Sequence, residues 1–278
     1  MTLLSPAKIN LSLRILGKRA DGFHDLETRL VRLAFGDTVE IERLGDGQKV
    51  AFTCSDPTVP SDESNLALRA LRAFESRAGR QSSWRVHLEK RIPHGAGLGG
   101  GSSNAATVLR AANELCGAPL SQPQLLELAA QIGSDVPCFL LDSVAADGTG
   151  RGEIVTPAEF PHQLPLLLIK PPFPIPTPWA YKRWADSKEL PGVLYAPQLC
   201  PWGAMVNDLE RPVFEKHLLL PSLKTWLLDQ GEVHAALMSG SGSTMFAVTH
   251  SAAQAADLAE KAGAWCGDTS WFQVTHTA

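Results

Sequence analysis

An α+β fold in two domains is what the sequence predicts, on three observations. Strand-like and helix-like segments mix along the chain without the strict βαβ alternation of a doubly wound parallel sheet. A length of 278 residues suggests two domains, with one large domain as the alternative. Eight prolines crowd the 22 residues from Pro157 to Pro178, and proline cannot donate to a central ladder, so this stretch reads as a connection around one short strand at 164–169. The crossing sets the boundary near 155–160, with an N-terminal domain over 1–157 and a C-terminal one over 158–278.

The elements follow in order. Ile9, Leu11, Leu13 and Ile15 alternate with Lys8, Asn10, Ser12 and Arg14, the period of two of a first strand. The first set reads as core, while Lys8 and Asn10 point the same way from the other face. Residues 17–22 read as a turn and 38–42 as a strand with Val39 and Ile41 inward. Leu68, Leu71 and Phe74 recur at helical spacing over 65–78, with Ser64 or Asn65 as cap and Gly79 as stop. Trp84, Val86 and Leu88 alternate as a strand that runs into a glycine loop. Ala105, Leu109, Ala112 and Leu115 then make one face of a helix over 103–116. Ser121 and Gln124 form a capping box for the next helix, whose stripe Leu125, Leu128, Ala129 and Ile132 ends at Gly133. Past the crossing, 179–204 shows little periodicity. A helix is expected at 221–230, a strand at 233–238, a Gly/Ser turn at 239–243, a strand at 245–248 and a helix at 251–262.

Composition excludes several classes of function. The net charge is −4, with 19% charged residues and no basic block, which argues against a nucleic-acid or anionic-membrane partner. The five cysteines (54, 116, 138, 200 and 266) are scattered and form no C-x-x-C, so neither a zinc cage nor a disulfide framework is expected. No apolar stretch approaches the ~18 residues of a membrane span. The first eight residues lack the basic start and unbroken apolar run of a signal peptide, so a cytoplasmic location is expected.

Chemistry concentrates in four places. The strongest is Pro93, His94, Gly95, Ala96, Gly97, Leu98, Gly99, Gly100, Gly101, Ser102 and Ser103, a glycine loop between a strand and a helix start. Glycines let several N–H groups converge, and the helix start adds free donors and positive dipole, which together suit a phosphate; a tight turn or hinge is the alternative. Residues 95, 97 and 100 match G-x-G-x-x-G, but no acid stands at the end of a second strand as a dinucleotide fold needs. A Walker A lysine is absent after Gly100, as are the protein-kinase motifs. Asp135, in Gly-Ser-Asp-Val-Pro, is either a cap or a general base. Lys8 is a solvated strand lysine or, with Asn10 beside it, part of a polar pocket. Phe23 and His24 follow a turn and offer a stacking face beside a directional hydrogen-bonding group, as a nucleobase requires, or are an ordinary core ring and surface imidazole. The 239–244 turn is a plain hairpin or a second phosphate-facing nest.

The order of these segments resembles the three motifs of the GHMP small-molecule kinase superfamily. Pro6-Ala-Lys-Ile-Asn10, the loop ending Gly-Gly-Gly-Ser-Ser-Asn-Ala-Ala, and Gly240-Ser-Gly-Ser carry the likeness. Further elements, Arg19-Ala-Asp-Gly-Phe-His24, Gly133-Ser-Asp-Val-Pro137, Ile175-Pro-Thr-Pro178 and Asn207-Asp-Leu-Glu210, are similar to a branch whose acceptor carries a cytidine diphosphate. The resemblance implies an N-terminal domain like ribosomal protein S5 domain 2 and a ferredoxin-like C-terminal sandwich. It implies ATP-dependent phosphorylation of the 2-hydroxyl of a cytidyl-linked methylerythritol in non-mevalonate isoprenoid biosynthesis. Lys8 and Asp135 would be the catalytic pair, residues 93–103 the ATP-phosphate loop, with Asn65 and Lys90 near the adenosine. Asn10, Phe23, His24, Thr177 and Tyr181 would meet the acceptor, and Mg²⁺ would bridge the phosphates with Ser102 or Ser103 as ligand. The family usually carries Tyr where Phe23 stands, so the stacking face is kept and the hydroxyl lost; the segment 182–206 departs most from the pattern. A homoserine- or mevalonate-type kinase and a non-catalytic nucleotide-binding module are the other readings.

Overall fold

The computed structural model describes residues 1–45, 50–79 and 81–278. Among them, twelve strands and seven α-helices build two sheets. The larger sheet holds β1 (Thr2–Lys18), β2 (His24–Leu44), β3 (Ala51–Cys54), β4 (Ser83–Glu89), β8 (Gln198–Cys200) and β9 (Gly203–Asn207) in the order β3-β4-β2-β1-β9-β8. A ribbon of β5 (Ala145–Thr149) and β6 (Ile154–Ala158) joins it through β2. The smaller sheet orders β10 (Val233–Met238), β11 (Met245–Thr249), β7 (Pro165–Lys170) and β12 (Trp271–His276) as β10-β11-β7-β12. The helices are α1 (Leu66–Ala78), α2 (Gly100–Leu115), α3 (Gln122–Ile132), α4 (Thr177–Trp184), α5 (Glu210–Lys216), α6 (Leu219–Leu228) and α7 (Ala252–Cys266). None is long and apolar enough to cross a membrane.

The long β1–β2 hairpin is the wall between two cores. Leu30, Val39 and Ile41 pack with α1, α2 and α3 on one side. Ala7, Ile9, Leu11, Val31 and Leu33 pack against Leu166, Leu168, Leu237, Phe246 and Val248 of the small sheet. With both faces covered, Lys8 and Asn10 are as buried as Leu11 and Leu13 farther along the strand, at 3% exposure each. Register shifts between Pro6 and Lys8 and between Asn10 and Ser12 bracket this pair, and such bulges re-aim side chains locally.

The strongest periodic segments fold as the sequence predicts. The Asn65 side chain accepts from Ala67 N–H and Gly79 closes α1 in the left-handed region. Ser121 N–H donates to Gln124 Oε1 at the start of α3. Three expectations need correction. Residues 38–42 are only the end of a 21-residue strand, whose first half the charged residues at 25, 27, 29 and 32 disguise. Helix α2 starts at Gly100, not at 103, because Gly99 already supplies the turn in the left-handed region. The stretch 179–204 contains most of α4 and all of β8, and it leads into β9 beside β1. Short elements such as β3, α5 and β12 had no periodic signal long enough to read. The crossing at 157/158 falls at the end of β6, while β8 and β9, well beyond it, pair into the larger sheet.

Phe74 tests the first core. It is 1% exposed and meets the Trp84 ring edge-on, 6.4 Å between centroids. Phe74→Ala should destabilise the protein by about 3–5 kcal/mol, read as a lowered urea midpoint at unchanged slope.

Candidate active site

The glycine loop is stitched to the protein from both halves of the chain. On one side Lys8 N–H donates to Leu98 O at 3.0 Å. On the other, Thr244 N–H donates to Ala96 O at 3.2 Å and Ser239 Oγ to Gly97 O at 3.0 Å. Gly97 is required there: its φ is +76°, and a Cβ would lie 2.1 Å from the Ser239 carbonyl oxygen. Gly99, at φ +72°, leaves room for the Lys8 stem, whose Cγ would stand 2.9 Å from an added Cβ. The 239–244 segment is thus both a hairpin turn between β10 and β11 and a wall of the same cavity.

Under this loop the Lys8 ammonium is held by three elements. It donates to Asn10 Oδ1 at 2.7 Å and Gly97 O at 3.1 Å, and lies 3.3 Å from Asp135 Oδ2. Asn10 is itself fixed through Nδ2 to Thr28 Oγ1 at 2.8 Å. Asp135 stands just past α3, with its side chain 39% exposed, so a carboxylate anchored by a buried cation faces open space. Behind it, Cys138 Sγ donates to the Asp135 carbonyl at 3.0 Å, and burial pushes that thiol up, leaving it protonated.

One cavity of about 1170 Å³ runs across these groups. At one end Pro93, His94, Gly95, Ala96, Gly97, Leu98, Gly99, Gly100, Gly101, Ser102, Asn65 and Lys90 line it. Ser103 does not. It is fully buried and its hydroxyl accepts from Ser5 Oγ at 2.9 Å, so the helix start turns it into the core, away from any phosphate; of the two serines expected near a metal, only Ser102 faces the cavity. Asn65 spends its side chain on capping α1 and on Pro60 O, and the Lys90 ammonium is turned onto Asp37 and Asn104.

Asn10 lines the cavity beside Lys8, and Phe23, His24, Thr177 and Tyr181 line it farther from the loop. His24 stacks on Tyr181 at 5.6 Å with 28° between planes and meets Trp184 edge-on at 6.1 Å. Burial and the nearby Lys18 charge lower the His24 imidazole below its ordinary value. Burial and the Asp135 charge push the Tyr181 phenol up. Phe23 is 52% exposed, with the Arg151 guanidinium 4.8 Å above its ring centre. Thr177 bonds Ser241 Oγ at 2.7 Å, joining α4 to the 239–244 turn. Arg151, Trp184 and Asp37 went unread in the sequence. Arg151 had only its two flanking glycines as a signal, and Asp37 looked like an ordinary acid at the edge of a strand.

The profile of the GHMP kinases N terminal domain matches residues 65–143, and that of the GHMP kinases C terminal matches 200–268. The chain is 44% identical over 273 residues to a 4-diphosphocytidyl-2-C-methyl-D-erythritol kinase of Methylacidiphilum infernorum, covering 97% of this chain and 94% of that one. It is 41% identical to the enzyme of that name from Protochlamydia amoebophila, covering 88% and 83%. A crystal structure of 4-(cytidine 5'-diphospho)-2C-methyl-D-erythritol kinase superposes over the whole of both chains, with a TM-score of 0.80 and 33% identity. A homoserine kinase from Cytophaga hutchinsonii shares the fold at a TM-score of 0.69 and 18% identity, covering 100% of this chain and 94% of that one.

The packing at Gly97 gives a direct test. Gly97→Ala combines a disfavoured φ with a backbone clash, so it should cost roughly 1–3 kcal/mol or more of stability. Calorimetric titration should also find ATP binding lost or strongly weakened in the variant at a temperature where it is still folded.

Proposed function

The chain belongs to the 4-diphosphocytidyl-2-C-methyl-D-erythritol kinase branch of the GHMP kinases, and from that membership we propose how its residues share the work. The activity is ATP-dependent phosphorylation of that cytidyl alcohol in isoprenoid biosynthesis. The observation that carries the residue assignment is the Lys8–Asp135 pair, 3.3 Å apart beneath the glycine loop and lining the same cavity. ATP takes the loop end, with Asn65 and Lys90 beside the adenosine, and the cytidine diphosphate takes the end with Phe23, His24, Thr177 and Tyr181. The acceptor's 2-hydroxyl then meets the γ-phosphoryl group between them.

Phosphoryl transfer needs positioning and charge neutralisation more than covalent help from the protein. Asp135 accepts the hydroxyl proton as the oxygen bonds to the γ-phosphorus. The bond from that phosphorus to the bridging oxygen breaks, and ADP leaves with its electron pair. Lys8 orients Asp135 and offsets charge on the transferred group, and Asn10 holds Lys8. The loop N–H groups and the start of α2 hold the ATP phosphates. Among the described residues no three His, Cys, Asp or Glu side chains gather into a metal cage. Ser102, which faces the cavity from the loop, would be the protein ligand of a Mg²⁺ bound with ATP, and the ion would supply charge neutralisation there. The cytosine lies against Phe23 and Tyr181, with His24 giving direction. Homoserine and mevalonate kinases share only the fold at 11–18% identity, so those acceptors are not favoured.

A coupled assay should record ADP release with ATP and the cytidyl acceptor, and none with homoserine or mevalonate; the reverse would overturn the assignment. Asp135→Asn and Lys8→Met should each lower kcat by about 10²–10⁴-fold, with the double variant little worse than either, because the two act as a unit. His24 supplies a pH test. Its folded value is depressed, so the ring is neutral above that value and gains charge only as pH falls below about 6.5. The acceptor KM should therefore rise on the acid side, and His24→Asn should abolish that rise.

A further inference from the structure

We propose that Asp37 is the positioning residue of the nucleotide loop, gripping both of its ends; this rests on the assignment of that loop to ATP. Asp37 lies on β2 opposite Ser5 of β1, and it has no exposed surface. Its Oδ1 accepts from the main-chain N–H of Arg91 at 2.7 Å and of Ile92 at 2.8 Å, the last residues before the loop. Its Oδ2 accepts from Asn104 Nδ2 at 2.9 Å, in the first turn of α2 just after the loop, and pairs with the Lys90 ammonium. Lys90 closes the ring by donating to Asn104 Oδ1 at 2.9 Å. Asn104 Nδ2 also reaches Ser5 Oγ at 2.9 Å, and Ser5 Oγ donates to Ser103 Oγ at the same distance. Residues 93–103 therefore hang between two points fixed on one carboxylate.

Stability alone does not call for this arrangement. A buried ion pair is on balance often no better than apolar packing of the same volume, since two charges must be desolvated. What the carboxylate supplies is geometry. Gly95, Gly97 and Gly99 all have positive φ, and a run of such residues has more freedom to lose than any other. N–H groups aimed at a phosphate are effective only when held in advance. A single acceptor reaching two N–H groups before the loop and one amide after it sets the span that the glycines must cross. It also uses up the Lys90 charge, so Lys90 meets a nucleotide with its stem and backbone, and Lys8 is left as the cation facing the γ-phosphate.

The test compares wild type, Asp37→Asn and Asn104→Ala by steady-state kinetics with ATP and the cytidyl acceptor, and by thermal melting. Asp37→Asn keeps an acceptor for the two N–H groups but turns an amide toward Lys90 and Asn104. Asn104→Ala removes the grip after the loop, together with the Asn104 bonds to Lys90 and Ser5, and leaves the two N–H groups before the loop on Asp37; alanine is a good helix former, so this variant decides the matter if Asp37→Asn does not fold. For both variants the ATP KM should rise, by about tenfold or more for Asp37→Asn, while the acceptor KM stays within about twofold. Asp37→Glu, which keeps the charge, should recover part of the ATP affinity. An unchanged ATP KM in Asn104→Ala or Asp37→Asn overturns the proposal. So does a loss in which both KM values and kcat move together with the melting temperature. A wild type that releases no ADP with this acceptor yet binds ATP would instead overturn the reaction assignment, and direct ATP binding to the variants would then decide the role of Asp37.

Discussion

A lysine ammonium buried in the middle of a sheet has to be satisfied on every side, and the architecture is arranged around that requirement at Lys8. An unpaired charge in such a place would cost several kcal/mol, so each of its neighbours is constrained. Asn10 comes from the same strand, Gly97 from the glycine loop and Asp135 from the end of α3. The loop can approach only because Gly99 has no side chain, and the 239–244 hairpin can close over it only because Gly97 has none. The β1–β2 wall must in turn be covered on both faces, which is why the small sheet and three helices pack on it. Remove the ammonium and three separate segments lose their common point.

Charge is handled locally throughout. The protein carries a net −4 yet acts on two phosphate-bearing substrates. Several of its cations are already committed to acids: Lys90 to Asp37, Lys224 to Glu210, Arg29 to Asp147. The Glu210–Lys224 pair has a positioning geometry of its own. Glu210 also accepts from Met238 N–H, and Asn207 donates to Met238 O and Gly240 O, so the Asn207–Glu210 segment holds the strand end from which the 239–244 hairpin springs. On the assignment proposed above, anion binding falls to oriented backbone donors and a helix start, which add no net charge.

Legibility in the sequence followed the range of the physics. Helices α1 and α3 could be read to within a residue or two because caps, stripes and stops lie within one or two turns of each other. The glycine loop was legible for the same reason, since a run of residues free to take positive φ is a local property. The long first half of β2 was not, because its charged residues face outward or pair with other segments, as Arg29 does with Asp147. Elements of three to seven residues, such as β8 and α5, owe their form to neighbours far away in the chain.

Taken alone, the sequence determined which residue types are available: a lysine and an asparagine on one strand face, glycines before a helix, an aspartate after another, an aromatic turn. Tertiary structure decided which of them meet. It brought Asp135 to Lys8 and His24 to Tyr181, turned Ser103 into the core while leaving Ser102 in the cavity, and tied Lys90 to Asp37. It also added Arg151 over Phe23. The reason is one of distance along the chain. Torsional preference and periodicity act over a few residues, whereas burial of the β1–β2 wall between two cores fixes contacts between segments a hundred residues apart, and no short window of sequence contains that constraint.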